Sequence, residues 1–231
     1  MRKPLASFLF FDSNLETVPI SYSGLPYLIR LAKRYGKRPE EMLLDRAVHH
    51  FILKKMPDAF RRGRPDIVHL SILSIADAPA YREGFVSFVL HTIRNLVIAP
   101  QTVWRPPRNY NNFLSLFEQL LKDKSVPPGG KAILVAREGD LGDALELLRP
   151  ERVVLFSSRG RSVDLRQFFG NASYEGCVYL IGAYARGEPS KSVLDAADEV
   201  ISIYPKVLSS WVVASRAVYE LERVITSDFA H

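Results

Sequence analysis

Gly182 and Gly187 enclose a turn, Gly182-Ala-Tyr-Ala-Arg-Gly187, that has the glycine spacing of a phosphate-binding loop but lacks its lysine. The residue after Gly187 is Glu188, and its carboxylate would repel phosphate. Such a turn can still let a ligand that is not an anion, such as a nucleoside or a sulfonium compound, approach the backbone closely. The same glycines also suit an ordinary turn that needs positive φ angles, and the turn by itself favours this second interpretation.

The arginine-rich stretch Arg61-Arg62-Gly63-Arg64-Pro65-Asp66 could bind an anion. Pro65 and Asp66 suit the first turn of a helix, and residues 67–76 are strongly apolar. We therefore expect a buried helix whose beginning presents three arginines at one place, with Asp66 orienting Arg64 for a phosphate or a base edge. An exposed turn with only a local ion pair explains the same residues equally well.

A second basic segment, Arg105-Pro106-Pro107-Arg108-Asn109-Tyr110, leads into a stretch whose apolar residues recur at helical spacing as far as Leu121. The two prolines stiffen the approach to the predicted helix, whose first backbone N–H groups are free. Guanidinium groups, N–H donors and an aromatic ring at one place suit RNA phosphates and unstacked bases.

Hydrophobic patterning predicts the elements that must position these residues. Three short apolar runs predict buried strands, at residues 153–156, 177–181 and 200–203. A helical pattern at 190–198 separates the last two, which predicts an α/β fold with a parallel sheet. Each strand leads into an unusual loop, at residues 157–161, 182–187 and 204–208. Because ligands of such sheets bind beyond the carboxyl ends of the strands, the three loops together predict a ligand cleft.

The remaining elements are predicted in the same way. Strands are expected at 5–11 and 132–136, a β-hairpin at 85–91 and 96–99, and helices at 25–35, 39–56, 141–148 and 208–225. The residues Pro127 to Gly130 mark a loop between two parts of the chain. The aromatic-rich terminal helix can pack internally or form a dimer face, and the sequence favours neither.

The histidines and the cysteine have ordinary interpretations. His49 and His50 are adjacent on the predicted helix 39–56 and point in different directions, so they cannot share a metal as an i, i+4 pair can. We expect both to be surface or partly buried residues and predict no metal site. Cys177 is the single cysteine, which excludes an internal disulfide, and we expect it to be a small core residue and not a nucleophile.

The composition fits a cytoplasmic protein with a polyanionic partner. The 231 residues contain 31 Lys plus Arg against 25 Asp plus Glu, a formal net charge of +6, although many basic proteins bind no polyanion. No apolar stretch approaches membrane-spanning length, and the apolar part of the N-terminal segment is too short for a signal peptide. The length allows one large domain over residues 1–231.

Four segments, taken in order, resemble the nucleolar essential protein family, also called essential for mitotic growth. They are RGRPDIVHLSIL at 62–73, PRNYNNFLSLFEQLL at 107–121, LIGAYARGE at 180–188 and ISIYPKVLSSW at 201–211. Members of this family are SPOUT-class enzymes that use S-adenosylmethionine to methylate N1 of a pseudouridine in small-subunit ribosomal RNA. The resemblance therefore implies an rRNA methyltransferase that contributes to small-subunit biogenesis, with ribosomal assembly proteins as possible partners.

The resemblance also implies which residues bind RNA. Arg64 is expected to contact RNA while Asp66 holds it, and Arg105 and Arg108 are expected to be further contacts. A fourth arginine of the family falls at Asn112, which carries no charge, so that contact is not carried over.

The fold and the cofactor site are implied in the same way. The resemblance implies a SPOUT-like parallel sheet with a C-terminal trefoil knot, an inserted α/β-hairpin extension around residues 60–110 that carries RNA-binding residues, and a homodimer. The residues expected to bind S-adenosylmethionine are Ile181, Gly182, Gly187, Ile201, Ser202, Ile203, Tyr204, Pro205, Lys206 and Leu208.

The implied reaction is direct methyl transfer to pseudouridine N1, which needs no covalent enzyme nucleophile. Asp66 and Asp77 are candidates for accepting the N1 proton. Since a carboxylate engaged with arginine is a poor base, neither is assigned the role. The alternative is a non-catalytic ribosome assembly factor that binds RNA without turnover.

Overall fold

The computed structural model describes residues 3–171 and 173–228, which form an eight-stranded sheet with helices on both faces. The strands are β1 (Ala6–Ser13), β2 (Val86–Thr92), β3 (Leu96–Pro100), β4 (Ser125–Val126), β5 (Leu134–Glu138), β6 (Arg152–Ser162), β7 (Cys177–Gly182) and β8 (Glu199–Ser202). The helices are α1 (Ile20–Ser23), α2 (Pro26–Arg34), α3 (Arg46–Leu53), α4 (Pro65–Ala76), α5 (Pro79–Arg82), α6 (Tyr110–Asp123), α7 (Leu141–Leu148), α8 (Leu165–Asn171), α9 (Lys191–Asp195) and α10 (Ser210–Asp228). Within these described ranges, no helix has the length and apolar character needed to cross a bilayer.

The sequence predicted a parallel sheet and a β-hairpin at 85–91 and 96–99, and the structure joins both in one mixed sheet. Its strand order is β4-β5-β3-β2-β1-β7-β6-β8. The strands from β2 through β1, β7 and β6 to β8 are parallel, while β3, β5 and β4 pair antiparallel at one edge. The physical reason for the antiparallel pairing of β2 and β3 is the short turn at residues 93–95. Parallel pairing of these two strands would need a much longer crossover connection.

The central strand β1 explains where the core lies. Successive side chains of a strand point to opposite faces, and in β1 both faces are buried. Phe8 and Phe10 join the larger core cluster, which contains residues of α4, α6 and α10, whereas Leu9 and Phe11 join the cluster that contains residues of α7 and α9. The result is three layers, with the sheet between two sets of helices.

The predicted helix 39–56 is wrong as a single element. Residues Pro39–Glu41 form a 3-10 turn, Leu43 then forms an isolated β-bridge with Thr17, and α3 begins only at Arg46. Asp45 starts the new helix because its side chain accepts a hydrogen bond of 2.8 Å from the Ala47 N–H.

His49 is fully buried, although the sequence predicted a surface or partly buried residue. Its Nδ1 accepts a hydrogen bond of 3.0 Å from the Asp45 N–H, and burial lowers the pKa of the imidazole from its ordinary value. His50, the next residue, points to the other face of the helix and is exposed. Which of two adjacent histidines is buried depends on the direction of α3, which restarts after the extended segment.

The chain passes very close to itself where β6 meets β8. Phe156 and Arg161 are both register partners of Ile201, so residues 157–160 leave the regular pairing between them. A Cβ atom at Gly160 would lie 2.6 Å from backbone atoms of Val200 and Ile201, so only glycine fits at this crossing. Residues 157–161, predicted as a loop, therefore lie within β6 as an irregular part of the strand.

Candidate functional site

A cavity of about 540 Å³ is lined by residues 156–158, where the regular part of β6 ends, and by the last residues of β7 and β8 with the turns that follow them. These strands are adjacent and parallel, so their carboxyl ends lie on one edge of the sheet. Nine of the ten residues expected to bind a cofactor line the cavity: Ile181, Gly182, Gly187, Ile201, Ser202, Ile203, Tyr204, Lys206 and Leu208. Pro205 belongs to the same turn but is not part of the wall.

Other elements complete the cavity with residues that sequence reasoning missed. Ile67 comes from α4, and Trp211 and Val213 come from the first turns of α10. The Ser210 hydroxyl donates a hydrogen bond to the carbonyl oxygen of Gly182, which fixes the beginning of α10 beside the end of β7. The aromatic and aliphatic pattern at 208–225 indicated only a packed helix, so no local signal assigned its first turn to a ligand wall.

The two glycines of the turn after β7 make room for side chains of the protein itself. A Cβ atom at Gly182 would lie 2.6 Å from the ring of Tyr184. Gly187 has a φ angle of +113°, and a Cβ atom there would lie 3.0 Å from the guanidinium of Arg61. Turn geometry and internal packing therefore account for both glycines without a close ligand.

Tyr184 stabilises this turn and is not a base at neutral pH. Its ring lies edge-on to Phe11 at 5.8 Å between centroids, and the guanidinium carbon of Arg61 is 4.1 Å from the Tyr184 ring centroid. Burial raises the pKa of Tyr184 to about 12, although the nearby Arg61 charge opposes the change. The phenol therefore stays protonated and neutral.

The first arginine-rich segment divides its three charges among different partners, which corrects the expectation that they lie together. Arg61 donates to the carboxylate of Asp12, and the buried Arg62 forms an ion pair with Glu16. Only Arg64 lines the cavity.

Arg64 is oriented by Asp66 through two parallel hydrogen bonds. Its Nε lies 2.8 Å from Oδ1 and its Nη2 lies 2.7 Å from Oδ2, and both side chains are about one-third exposed. The Arg64 backbone N–H donates to Oδ1 of the buried Asn14 at 3.1 Å. This guanidinium is thus held at the cavity rim in a fixed orientation while part of it remains open to solvent.

The second basic segment lies along the other end of α4. His69 of α4 donates a hydrogen bond of 2.7 Å from Nε2 to the carbonyl oxygen of Pro107, which fixes the approach to α6. Arg105 and Arg108 are exposed, and Arg108 Nη2 lies 3.3 Å from Oδ1 of Asp77. Since α4 has 12 residues, about 18 Å of helix separates the Arg64 end from the Asp77 end.

Tyr110 is not available to stack on a base, although the sequence placed an aromatic ring here for that purpose. Its hydroxyl donates a hydrogen bond of 2.6 Å to Asp45, and its ring packs beside His69 and Phe113. Asn112 is exposed in the first turn of α6, where the family arginine would stand.

The two carboxylates considered as proton acceptors are both engaged with arginines. Asp66 accepts both hydrogen bonds from Arg64. Partial burial alone would raise the pKa of Asp77, but hydrogen bonds from Arg82 and Arg108 outweigh it and lower that pKa. Asp77 also lies outside the cavity wall. Among the described residues, no group of three or more His, Cys, Asp or Glu side chains could hold a metal ion.

Comparisons with known proteins agree along most of the chain. The model of the family described as EMG1/NEP1 methyltransferase matches residues 8–222. A protein named ribosomal RNA small subunit methyltransferase Nep1 from Pyrobaculum calidifontis is 38% identical over 215 residues, which cover 93% of this chain and 96% of the relative. Its namesake from Methanothrix thermoacetophila is 34% identical over 218 residues, with 94% and 96% covered.

A solved structure supports the same relationship. The crystal structure of Archaeoglobus fulgidus Nep1 bound to S-adenosylhomocysteine matches with a TM-score of 0.84 and 30% identity, covering 96% of this chain and 99% of that one. Sequence and fold therefore agree over nearly the full length, and this chain belongs to the EMG1/NEP1 methyltransferase family.

Proposed function

We propose that this protein transfers a methyl group from S-adenosylmethionine to N1 of a pseudouridine in small-subunit ribosomal RNA and so contributes to small-subunit biogenesis. The observation that carries the proposal is that a ligand-sized cavity and an oriented arginine lie at the same place. A cavity formed by the ends of three parallel strands has Arg64, an oriented and partly exposed guanidinium, in its wall.

The cavity suits S-adenosylmethionine in size and in lining. Its volume of about 540 Å³ is typical for a ligand of that size. Ile181, Ile201, Ile203 and Leu208 supply apolar walls for a flat base. The first turn of α10 borders the cavity through Ser210, Trp211 and Val213. S-adenosylhomocysteine is bound by the Archaeoglobus fulgidus relative, which supports the same assignment.

When bound, S-adenosylmethionine would supply a sulfonium methyl group. Its carbon–sulfur bond would break as the bond to N1 forms, which leaves a neutral thioether, and the N1 proton would pass to solvent water. The residues of the chain contribute position and charge. Arg64, held in place by Asp66, and the exposed Arg105 and Arg108 on the segment before α6 hold the RNA so that the target base reaches the cavity. Both candidate carboxylates are already bonded to guanidinium groups, so neither is left free to act as a strong base.

The proposal extends to the architecture implied by the resemblance. The trefoil knot is supported by the double pairing of Ile201 with Phe156 and Arg161, as expected where one strand passes inside a loop of the chain. The RNA-binding insertion around residues 60–110, within a single domain over 1–231, is supported by the positions of Arg64 and Arg108 at the two ends of α4. Homodimer formation is supported by the exposed apolar residues Val207 and Tyr219, and sedimentation analysis measures it directly.

The proposed location is the cytoplasm, with ribosomal assembly proteins as further partners. The assembly proteins follow from the proposed substrate, and the location is supported by Cys177, a buried cysteine without a disulfide, which suits a reducing compartment. Fractionation of cells that express the tagged protein, followed by detection in the small-subunit fractions, tests both statements.

The decisive experiment compares two RNA hairpins that differ only in one base. With labelled S-adenosylmethionine, we expect methyl incorporation into a hairpin that carries pseudouridine and none into its uridine twin. Equal incorporation into both hairpins would refute the pseudouridine assignment. Tight RNA binding with neither methyl incorporation nor calorimetric binding of S-adenosylhomocysteine would instead favour the non-catalytic assembly factor.

A further inference from the structure

Arg61 connects the turn after β7 to the segment that carries Arg64. It ends the 3-10 turn Ala59–Arg61, three residues before Arg64. Its Nη2 donates to Oδ2 of Asp12 at 2.7 Å, and its Nη1 donates to the carbonyl oxygen of Glu188 at 2.8 Å. The guanidinium plane also lies over the Tyr184 ring. One side chain thus makes three different contacts, two of them to residues 184 and 188 in the turn after β7.

The Arg61 and Asp12 side chains are mostly shielded from solvent. They are 19% and 21% exposed, which distinguishes this ion pair from the fully solvated pairs that contribute little. Asp12 has a φ angle of +49°, which is uncommon for a residue other than glycine. The end of β1 therefore adopts an unfavourable backbone conformation at the residue whose carboxylate receives Arg61.

The same end of β1 makes a second connection between the turn after β7 and the segment that carries Arg64. The Asn14 N–H donates to the carbonyl oxygen of Ala183 in the cavity turn at 3.2 Å. Its side-chain oxygen accepts from the Arg64 N–H. Asn14 is fully buried, so both hydrogen bonds are protected from water. The turn after β7 (residues 182–188) and the segment 61–64 are therefore both held by Asp12 and Asn14 at the end of β1.

We propose that Arg61 is a positioning residue for methyl transfer, which sets the distance between the cofactor-binding turn and the RNA-holding Arg64 through Asp12, Glu188 and Tyr184. The inference rests on the proposed function. Lysine cannot replace arginine here, because a single ammonium cannot reach Asp12 and the Glu188 carbonyl together while covering a ring. A merely structural ion pair would tolerate lysine, since the charge opposite Asp12 is kept.

The test compares Arg61→Lys and Arg61→Ala with the wild type in four measurements: thermal midpoint, calorimetric affinity for S-adenosylhomocysteine, affinity for the pseudouridine hairpin without cofactor, and kcat. We expect Arg61→Ala to weaken cofactor binding about tenfold, because the turn after β7 loses its anchor and must be ordered when the cofactor binds. We expect kcat to fall by a further factor of about ten, because the reacting groups are misplaced. RNA affinity without cofactor should stay near the wild-type value.

Arg61→Lys is the variant that separates positioning from stability. It should recover most of the thermal midpoint but little of the cofactor affinity or kcat. Tyr184→Leu removes a ring that contacts Arg61 and Phe11 and also lines the cavity, and it should weaken cofactor binding in the same direction while leaving the Arg61–Asp12 ion pair in place. Arg38→Ala serves as the control, because Arg38 is paired with Glu41 and lies outside the cavity wall, so all four measurements should match the wild type.

The outcomes distinguish this inference from the proposed function. If the wild type binds S-adenosylhomocysteine and methylates the hairpin while both Arg61 variants do so equally well, the positioning role is refuted and the proposed function stands. A lower thermal midpoint with unchanged cofactor affinity and kcat also refutes it, since Arg61 would then be structural only. If the wild type itself neither binds S-adenosylhomocysteine nor methylates the hairpin, both proposals are refuted together.

Discussion

Gly160 and Ile201 touch backbone to backbone where β6 crosses β8, and a Cβ atom at Gly160 would lie 2.6 Å from both the nitrogen and the carbonyl carbon of Ile201. Real Cβ contacts are not that short, so the two strands must separate if a side chain is introduced. The cavity wall would change with them, because Ile201 and its neighbours line it.

We therefore expect Gly160→Ala to lower the free energy of unfolding by about 3 kcal/mol, the upper range for overpacking a rigid site. Urea denaturation measures the change. Gly170→Ala is the matched control, since Gly170 lies in α8 with no atom within 4 Å of the new Cβ. There alanine should raise stability by about 0.5–1 kcal/mol through helix propensity. Equal stability of the two variants would contradict the close crossing.

Arg108 is a proposed RNA contact that can be removed without touching the cavity. It is exposed, and its Nη2 reaches Asp77 at 3.3 Å, outside the cavity wall. We expect Arg108→Ala to weaken RNA binding and to reduce the slope of log affinity against log salt by about 0.7 for a single-stranded contact. Calorimetric affinity for S-adenosylhomocysteine should not change. RNA affinity and salt slope equal to the wild type would remove Arg108 from the RNA surface.

Asn112→Arg should strengthen RNA binding, because it adds a positive charge in the first turn of α6, where the resemblance implies an arginine in the family. The position is exposed, so the longer side chain needs no repacking. We expect the salt slope to become steeper by about 0.7. Asn111→Arg adds the same charge at the neighbouring exposed position, which points about 100° away around the helix. Equal gains from both variants would mean that only net charge matters.

The burial of His49 should make the free energy of unfolding depend on pH. Burial lowers the pKa of His49 below its ordinary value of 6.5, so in acid the unfolded chain binds a proton that the native protein does not. Stability is complete above pH 6.5 and should be lost progressively as the pH falls below it. His49→Gln should flatten this slope in denaturation at pH 5 to 7. The exposed His50→Gln should leave it unchanged, and identical slopes for all three proteins would contradict the prediction.

Local sequence patterns determined much of the architecture. The apolar runs predict β7 and β8 to within a few residues and the beginning of β6, and Pro65 marks the first residue of α4. The predicted loop at 157–161 is instead part of β6. Its first residues and the turns after β7 and β8 line one cavity, because parallel strands end on the same edge of a sheet. Hydrophobic periodicity and helix-start signals act over a few neighbouring residues, so they can be read without knowing the fold.

The sequence predicted that Asp66 orients Arg64, and the structure shows this pair. Only the tertiary structure decided the roles of Arg61, Arg62 and the two histidines. Arg61 and Arg62 are adjacent and of the same type, yet they are directed to Asp12 and to Glu16. His49 is buried and His50 exposed because α3 restarts after an extended segment. The physical reason is that burial and ion pairing depend on residues far away in the chain, such as Glu16 for Arg62. Their proximity exists only after the sheet has formed.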